Sequence, residues 1–307
     1  MPGIGGFMKK TEMHLRTDEE KRAYIERCEQ DFLERLQATL HQFATELPHI
    51  VLLSGPSCSC KTTIAHHLQQ TVQALHKRMA VISIDDFFLD REALDRKNLD
   101  GNTQLDYDSA SALDLSYFQT CAEALCRGEV SRIPKYDFHK GVRSGYETLD
   151  PTQYDTLVFV GIQAIYPQVT TLFQNVPHRS VTLGVKGELD AGGVIFTGNE
   201  IRLYRRIVRD ERFRSAPAAF TMFLWQSVRT NEEQNILPDQ YTADVFLDSL
   251  LPYEPLLLKE PLCHALQTVP QDSPFYRQAQ AMIEKMQPLP AISPALLPEN
   301  SVYHEFL

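Results

Sequence analysis

Three stretches of the sequence carry side chains whose types and spacing suit phosphate chemistry. GPSCSCKTT (55–63) has a lysine and two threonines behind a glycine-bearing turn. SIDDFF (83–88) supplies Asp85, a carboxylate that can accept a proton from an attacking hydroxyl. IRLYRRIVRDERFRS (201–215) supplies guanidinium groups, which suit a phosphoryl group in transfer. Its arginines are Arg202, Arg205, Arg206, Arg209, Arg212 and Arg214.

The first stretch has the surroundings that a phosphate-binding P-loop requires. HIVLLSG (49–55) is an apolar run typical of a buried strand, and KTTIAHHLQQTVQAL (61–75) has the pattern of a helix. In such a loop the backbone N–H groups and the helix N-terminus attract phosphate, Lys61 bridges the outer phosphates, and the Thr62 hydroxyl holds magnesium. The alternative is a chance match in a serine-rich turn.

Cys60 stands where such a loop normally has glycine. If the backbone there is right-handed, cysteine costs little; if φ is positive, it costs about 1 kcal/mol or more. A helix N-terminus also lowers thiol pKa values, so a redox or metal role for Cys60 is a second, less favoured interpretation.

The other two stretches have ordinary explanations as well. An aspartate at a strand end often only caps a turn, although beside a P-loop Asp85 gains weight as a catalytic base. The arginines, spaced by three and four, would share a helix face that could equally be a solvated basic surface pairing with this acidic protein.

The remaining pattern predicts the elements that position these groups. Apolar runs alternate with helical patterns, which indicates an α/β fold with a doubly wound parallel sheet of about five strands and right-handed crossovers. The predicted strands are 49–55, 80–85, 156–161, 180–185 and 243–249; the helices are 18–46, 108–128, 199–213 and 217–229; and 132–149 is a hairpin. The predicted organisation is a helical extension (1–47), a domain that contains the P-loop and the hairpin (48–250) and a helical tail (251–307) packed on it.

Composition narrows the partners. The chain has 307 residues and a formal net charge of −10, which does not favour a nucleic-acid backbone. We find no apolar run of membrane-spanning length and no secretory signal pattern at the start. The six scattered cysteines fit reduced thiols, so we expect a cytoplasmic protein without membrane contact. A homo-oligomer is left open.

Further segments carry a family resemblance. LDYDSASALDL, IPKYDFHKGVRSG, VFVGIQAIYP and WQSVRTNEEQNILPDQYTADVFLDS, together with the three stretches above, resemble the uridine kinase and phosphoribulokinase family of P-loop kinases. The resemblance covers roughly residues 20–307 and implies that ATP and Mg²⁺ are used with a nucleoside or similar small-molecule acceptor. It implies the following roles: catalysis by Asp85, Lys61 and Arg206; nucleotide binding by Gly55, Ser57, Cys58, Ser59, Cys60, Lys61, Thr62, Thr63 and Arg209; acceptor binding by Asp85, Phe88, Asp108, Tyr136, Arg143 and Arg202; and metal binding by Thr62 and Asp85.

The sequence departs from the family pattern at three positions. Cys60 replaces the loop glycine, and Val160 stands where members usually carry an acid that helps to hold magnesium. Gly141 occupies the hairpin position at which uridine–cytidine kinases place a base-reading histidine, with His139 nearby.

Three functional hypotheses follow. The first is a kinase acting on a nucleoside, in which Asp85 takes the proton. The second is a regulatory nucleotide-binding protein with little or no kinase activity, motivated by Cys60 and Val160. The third is a kinase of the same fold for another sugar-like or alcohol acceptor. It is ranked lower because an acceptor that carries its own phosphate would need a basic cluster beyond the arginine helix, and none is visible.

Overall fold

The computed structural model describes residues 8–45, 47–94, 109–236 and 243–307. Within them the strands are β1 (Lys9–Lys10), β2 (Ile50–Ser54), β3 (Met79–Ser83), β4 (Ser131–Asp137), β5 (Val142–Leu149), β6 (Thr156–Val160), β7 (His178–Gly184), β8 (Glu188–Ala191), β9 (Val194–Thr197) and β10 (Val245–Asp248). The α-helices are α1 (Asp18–Thr45), α2 (Lys61–Ala74), α3 (Leu115–Cys126), α4 (Pro167–Thr170), α5 (Gly198–Arg214), α6 (Ala218–Asn235), α7 (Glu254–Gln267) and α8 (Tyr276–Met286).

The apolar runs form a parallel sheet. Among the described residues it has five strands in the order β10-β7-β2-β6-β3. The chain leaves β2, runs to the edge at β3 and returns through β6, then crosses to β7 and β10 on the other side. The predicted doubly wound α/β fold is thus confirmed, and the winding reverses between β2 and β6, because the connection from β2 leads to one side of the sheet and that from β6 to the other. Ligands of such sheets bind beyond the carboxyl ends of the strands at this point.

Each face of the sheet is covered by helices. Leu52 and Phe159 point to a core that includes Phe118 of α3, whereas Val51 and Leu53 belong to a second, larger core. The larger core contains side chains of α1, α2, α5, α7 and α8. The helices of the predicted extension and of the predicted tail therefore pack in the same core as the sheet. The division into three domains itself stays a prediction. None of the described helices combines the length and apolar character that a membrane crossing needs.

Two predicted helices have different bounds. The predicted helix 108–128 begins only at Leu115, because the Asp114 side chain accepts a hydrogen bond from the Tyr117 N–H and caps the helix there. Before it, Leu113 forms an isolated bridge with Phe88. The predicted helix 217–229 continues to Asn235.

A small second sheet was not predicted. β8 pairs with β9 as a hairpin and with the short β1 in parallel. Its turn uses Gly192 and Gly193 with φ of 66° and 89°, and the Asp190 side chain accepts from the Gly193 N–H. The hairpin leads directly into α5, which Thr197 and Glu200 begin with reciprocal hydrogen bonds. It therefore fixes the start of the arginine helix.

Candidate nucleotide and acceptor site

The loop between β2 and α2 is closely packed. A Cβ on Gly55 would come within 2.6 Å of Ser59 Oγ and 2.8 Å of Leu183 Cβ, so only glycine fits there. Cys58 and Cys60 both adopt left-handed backbone conformations, with φ of 60° and 67°. The sequence left open whether the backbone at Cys60 is right-handed or has a positive φ. The positive φ is the costlier case, because an L-residue in that conformation loses about 1–2 kcal/mol.

Cys60 compensates for this strain by packing. Its side chain is fully buried in the larger core, and Arg205 Nη1 lies 3.7 Å from its Sγ. Burial raises the pKa of the Cys60 thiol well above its ordinary value, with Arg205 only partly opposing the shift. Desolvation therefore opposes the activation that a helix N-terminus would give this thiol, and the redox or metal role stays the less favoured prediction.

The residues of the loop predicted to act in catalysis and metal binding, Lys61 and Thr62, lie at the start of α2. Lys61 Nζ donates to the carbonyl oxygens of Gly55 and Pro56 at 2.8 and 3.0 Å, so its ammonium group lies across the loop. Thr62 is exposed, whereas Thr63 Oγ1 donates to Glu305 at 2.8 Å. Ser59 Oγ is buried and has no hydrogen-bond partner among the described residues.

Asp85 lies at the same edge of the sheet as the loop. It belongs to the 3₁₀ helix Ile84–Phe87 that follows β3, and β6 separates that strand from β2. Val160, the last residue of β6, pairs with both Leu53 and Ser83. Val160, where the family resemblance predicts an acid, thus lies between the phosphate loop and Asp85.

An aromatic cluster adjoins Asp85. Phe88, Tyr136 and Phe138 have ring centroids 5.0 to 6.2 Å apart, and the Phe138 ring is half exposed. Asp86 holds the hairpin against this edge, because its carboxylate accepts from the Tyr136 N–H at 3.1 Å. The sequence analysis named Phe88 and Tyr136 but missed Asp86 and Phe138. The available signals were the second aspartate of SIDDFF for Asp86 and the last residue of KYDF for Phe138.

The hairpin geometry favours glycine at position 141, where the family resemblance predicts a histidine. Gly141 has φ of 70°, and a Cβ there would meet the Arg91 side chain at 2.7 Å. Arg143, predicted to bind the acceptor, pairs with Asp114 at 3.2 Å and lies over the Tyr117 ring, joining the hairpin to α3. Asp108, also predicted to bind the acceptor, lies outside the described residues.

Two arginines of α5 are neutralised inside the protein. Arg202 pairs with Glu232 at 2.5 Å and donates to the Ser57 carbonyl at 3.2 Å. Its binding to an acceptor stays a prediction. Arg205 is fully buried and makes a two-bond pair with Glu254 at 2.6 and 2.8 Å. Burial disfavours the charged guanidinium, but Glu254 raises the pKa of Arg205 above its ordinary value.

Three other arginines of α5 converge on one carboxylate. Asp210 lies 3.4, 2.7 and 3.6 Å from the nearest nitrogens of Arg206, Arg209 and Arg214. Three cations around one anion leave an excess of positive charge. Arg206 Nη1 also reaches Ser57 Oγ at 3.1 Å, which directs part of this charge to the phosphate loop.

This set of groups fits a triphosphate. The loop offers N–H groups at the helix start, Lys61 and an excess of arginine charge. Within the described ranges, no three His, Cys, Asp or Glu side chains come close enough to form a metal site of their own. The donors present, the Thr62 hydroxyl and the Asp85 carboxylate, fit a hard cation such as magnesium that a nucleotide also holds.

A central strand, a phosphate loop and a helix in this order, within a five-stranded parallel sheet, define a P-loop kinase fold. A solved structure described as a putative fructose transport system kinase from Silicibacter sp. TM1040 has the same fold, with a TM-score of 0.53 at 18% identity over 69% of this chain and 98% of that one. Residues 50–252 match the model of the Phosphoribulokinase / Uridine kinase family. The chain therefore belongs to that family.

Curated relatives include uridine kinases. The enzyme of Lactobacillus helveticus is 26% identical over 204 residues, which is 66% of this chain and 87% of the relative. That of Lactococcus lactis subsp. cremoris is 28% identical over 200 residues, covering 64% and 86%. The family match does not include α1 or residues 253–307.

Proposed function

We propose that the protein is an ATP-dependent kinase that transfers the γ-phosphate to a hydroxyl of a uridine- or cytidine-like nucleoside. One observation carries the proposal: the phosphate loop, Asp85 and a partly exposed aromatic cluster meet at the carboxyl edge of one parallel sheet. Membership of a family with uridine kinases supports it.

In this mechanism Asp85 accepts the proton of the acceptor hydroxyl while the oxygen of that hydroxyl forms a bond to the γ-phosphorus. The bond from that phosphorus to the bridging oxygen breaks, and ADP leaves. Lys61 moves from its loop carbonyls to the outer phosphates, where it and Arg206 balance the negative charge. Mg²⁺, held by Thr62 and Asp85, would supply further charge neutralisation.

The aromatic cluster is the proposed place for the acceptor base. Phe88, Tyr136 and Phe138 offer apolar ring faces on which a flat base can stack, and stacking on an aromatic ring tolerates different bases. Since glycine replaces the base-reading histidine, we expect weaker discrimination between uridine and cytidine than a hydrogen-bonding side chain would give.

The test is ADP release by the purified protein with ATP and Mg²⁺, with and without a panel of nucleosides and sugar-like alcohols. Stimulation by uridine or cytidine is the expected result. Asp85→Asn should lower acceptor-dependent kcat by at least about 100-fold, because a general base contributes that much. Asp272→Asn, an exposed carboxylate in the tail, is the matched control and should leave kcat unchanged. Equal rates for both variants would refute the role of Asp85.

A regulatory nucleotide-binding protein is the second candidate. It is favoured by Cys60 at positive φ and by Val160 between the loop and Asp85. Tight ATP binding without acceptor-dependent ADP release would support it. Cys60→Gly combined with Val160→Glu should then raise turnover sharply; flat rates would mean that these two positions do not silence the site. Stimulation only by a sugar-like alcohol would favour the third hypothesis.

A further inference from the structure

Residues 301–307, here called the closing segment, pack behind the phosphate loop. The segment contains the 3₁₀ helix Val302–Glu305, and the side chains of Tyr303 and Phe306 are fully buried. Ser301 donates to the buried carboxylate of Glu29 in α1, which also accepts from the hydroxyl of Tyr253. The segment is thus anchored on the kinase core by polar contacts as well as by packing.

The closing segment holds Arg205. The guanidinium carbon lies 5.5 Å from the Tyr303 ring centroid and 5.3 Å from that of Phe306. Held by these rings and by its pair with Glu254, Arg205 also donates from Nη1 to the Cys58 carbonyl oxygen at 3.0 Å. Cys58 is one of the two loop residues with positive φ, so this hydrogen bond restrains a strained part of the loop.

The closing segment also contacts the first turn of α2. Thr63 Oγ1 donates to Glu305 Oε2 at 2.8 Å, across 242 positions of the sequence. A carboxylate beside an anion-binding loop repels phosphate. Attraction to the ligand therefore does not account for Glu305, whereas fixing the start of α2 does.

We propose that the closing segment positions the phosphate loop for triphosphate binding, with Glu305 acting through Thr63, and Tyr303 and Phe306 acting through Arg205. Arg205 and Glu305 are positioning residues in this account, and neither touches the nucleotide. The inference rests on the proposed function, because it takes the loop to be an ATP site.

The test compares two substitutions of one residue by calorimetric titration of ATP with Mg²⁺. Glu305→Ala removes the hydrogen bond, and we expect about tenfold weaker binding of ATP. Glu305→Gln keeps an acceptor for Thr63 and removes the charge, so it should bind ATP as tightly as the unchanged protein or more tightly. Electrostatic repulsion alone predicts tighter binding for both variants.

Two controls separate positioning from general loss of stability. Glu299→Ala removes an exposed acid from the same part of the tail and should leave the affinity unchanged. Met286→Ala opens a cavity in α8 and should lower the urea midpoint without changing the affinity. In a double-mutant cycle with Thr63→Val, the effects of Glu305→Ala should be clearly non-additive.

Each outcome decides between the proposals. If the unchanged protein binds no ATP, the proposed function fails. If it binds ATP and Glu305→Ala binds at least as tightly, the positioning proposal fails while the proposed function stands. It also fails if Glu305→Gln weakens binding as much as Glu305→Ala, or if the cycle with Thr63 is additive.

Discussion

The strained position of Cys60 gives the sharpest test of the loop geometry. Two variants, Cys60→Ala and Cys60→Gly, remove the thiol from the same buried site. Only glycine also removes the conformational cost of φ at 67°. The comparison between the two variants therefore isolates the backbone term from the packing term.

The magnitudes follow from burial and conformation. Cys60→Ala loses a fully buried sulfur and leaves a small cavity beside Arg205, which costs about 2 kcal/mol of unfolding free energy. Cys60→Gly loses slightly more packing and gains unfolded-state entropy, but it is relieved of about 1–2 kcal/mol of left-handed strain. Because the lost methyl and the unfolded-state entropy offset part of this relief, we expect the glycine variant to be more stable than the alanine variant by at most about 1 kcal/mol.

Cys121 supplies the matched control. It is also buried, but it lies within α3, where the backbone is right-handed. There glycine is about 1 kcal/mol less favourable than alanine. The order of the two variants should therefore reverse between the two sites.

Urea denaturation with equal m-values measures all four variants. If Cys60→Gly proves no more stable than Cys60→Ala, while Cys121 shows the normal helix order, the positive φ at Cys60 carries no cost and the reasoning about the loop is refuted.

Three further predictions follow. Glu254→Ala should lower the unfolding free energy by about 3 kcal/mol, because it leaves Arg205 charged and buried without its partner; a urea midpoint within error of the unchanged protein would contradict this. Burial, helped by the charge of His66, lowers the pKa of His67, so the unfolded chain binds more protons below about pH 6.5 and stability should fall between pH 7 and 5. His67→Gln should flatten that slope in thermal melts, and an unchanged slope would refute the assignment. Val160→Glu should lower the Mg²⁺ concentration needed for half-maximal ATP binding. A magnesium titration in which the variant and the unchanged protein give the same curve would contradict this.

The sequence predicted the sheet because its strands are unusually easy to recognise. A central strand buried on both faces has a continuous apolar run, and HIVLLSG contains such a run. Asp85 could be placed near the loop for the same reason, since the carboxyl ends of parallel strands share one edge. Alternation of residue character over 132–149 predicted the hairpin, and family resemblance added the role of Tyr136.

What the sequence could not show depends on contacts between distant segments. Nothing local in IRLYRRIVRD distinguishes Arg205, paired inside the core, from Arg206, which reaches the loop; the difference arises from Glu254 on α7. The local sequence likewise does not give the sign of φ at Cys60, whose thiol lies 3.7 Å from Nη1 of the distant Arg205. The hairpin β8–β9 was missed because four-residue strands are too short to show a period.

The contacts behind the phosphate loop also bear on how the chain assembles. The Glu29 carboxylate accepts from partners 224 and 272 positions away, and Thr63 from α2 contacts a residue 242 positions on. Such distant contacts close large loops of chain and form late in folding. During synthesis the strands of the sheet emerge before Ser301 and Glu305, so the sheet can form before these two contacts do. The loop would then acquire this support after the sheet has formed, so nucleotide binding would report these late contacts rather than the formation of the sheet.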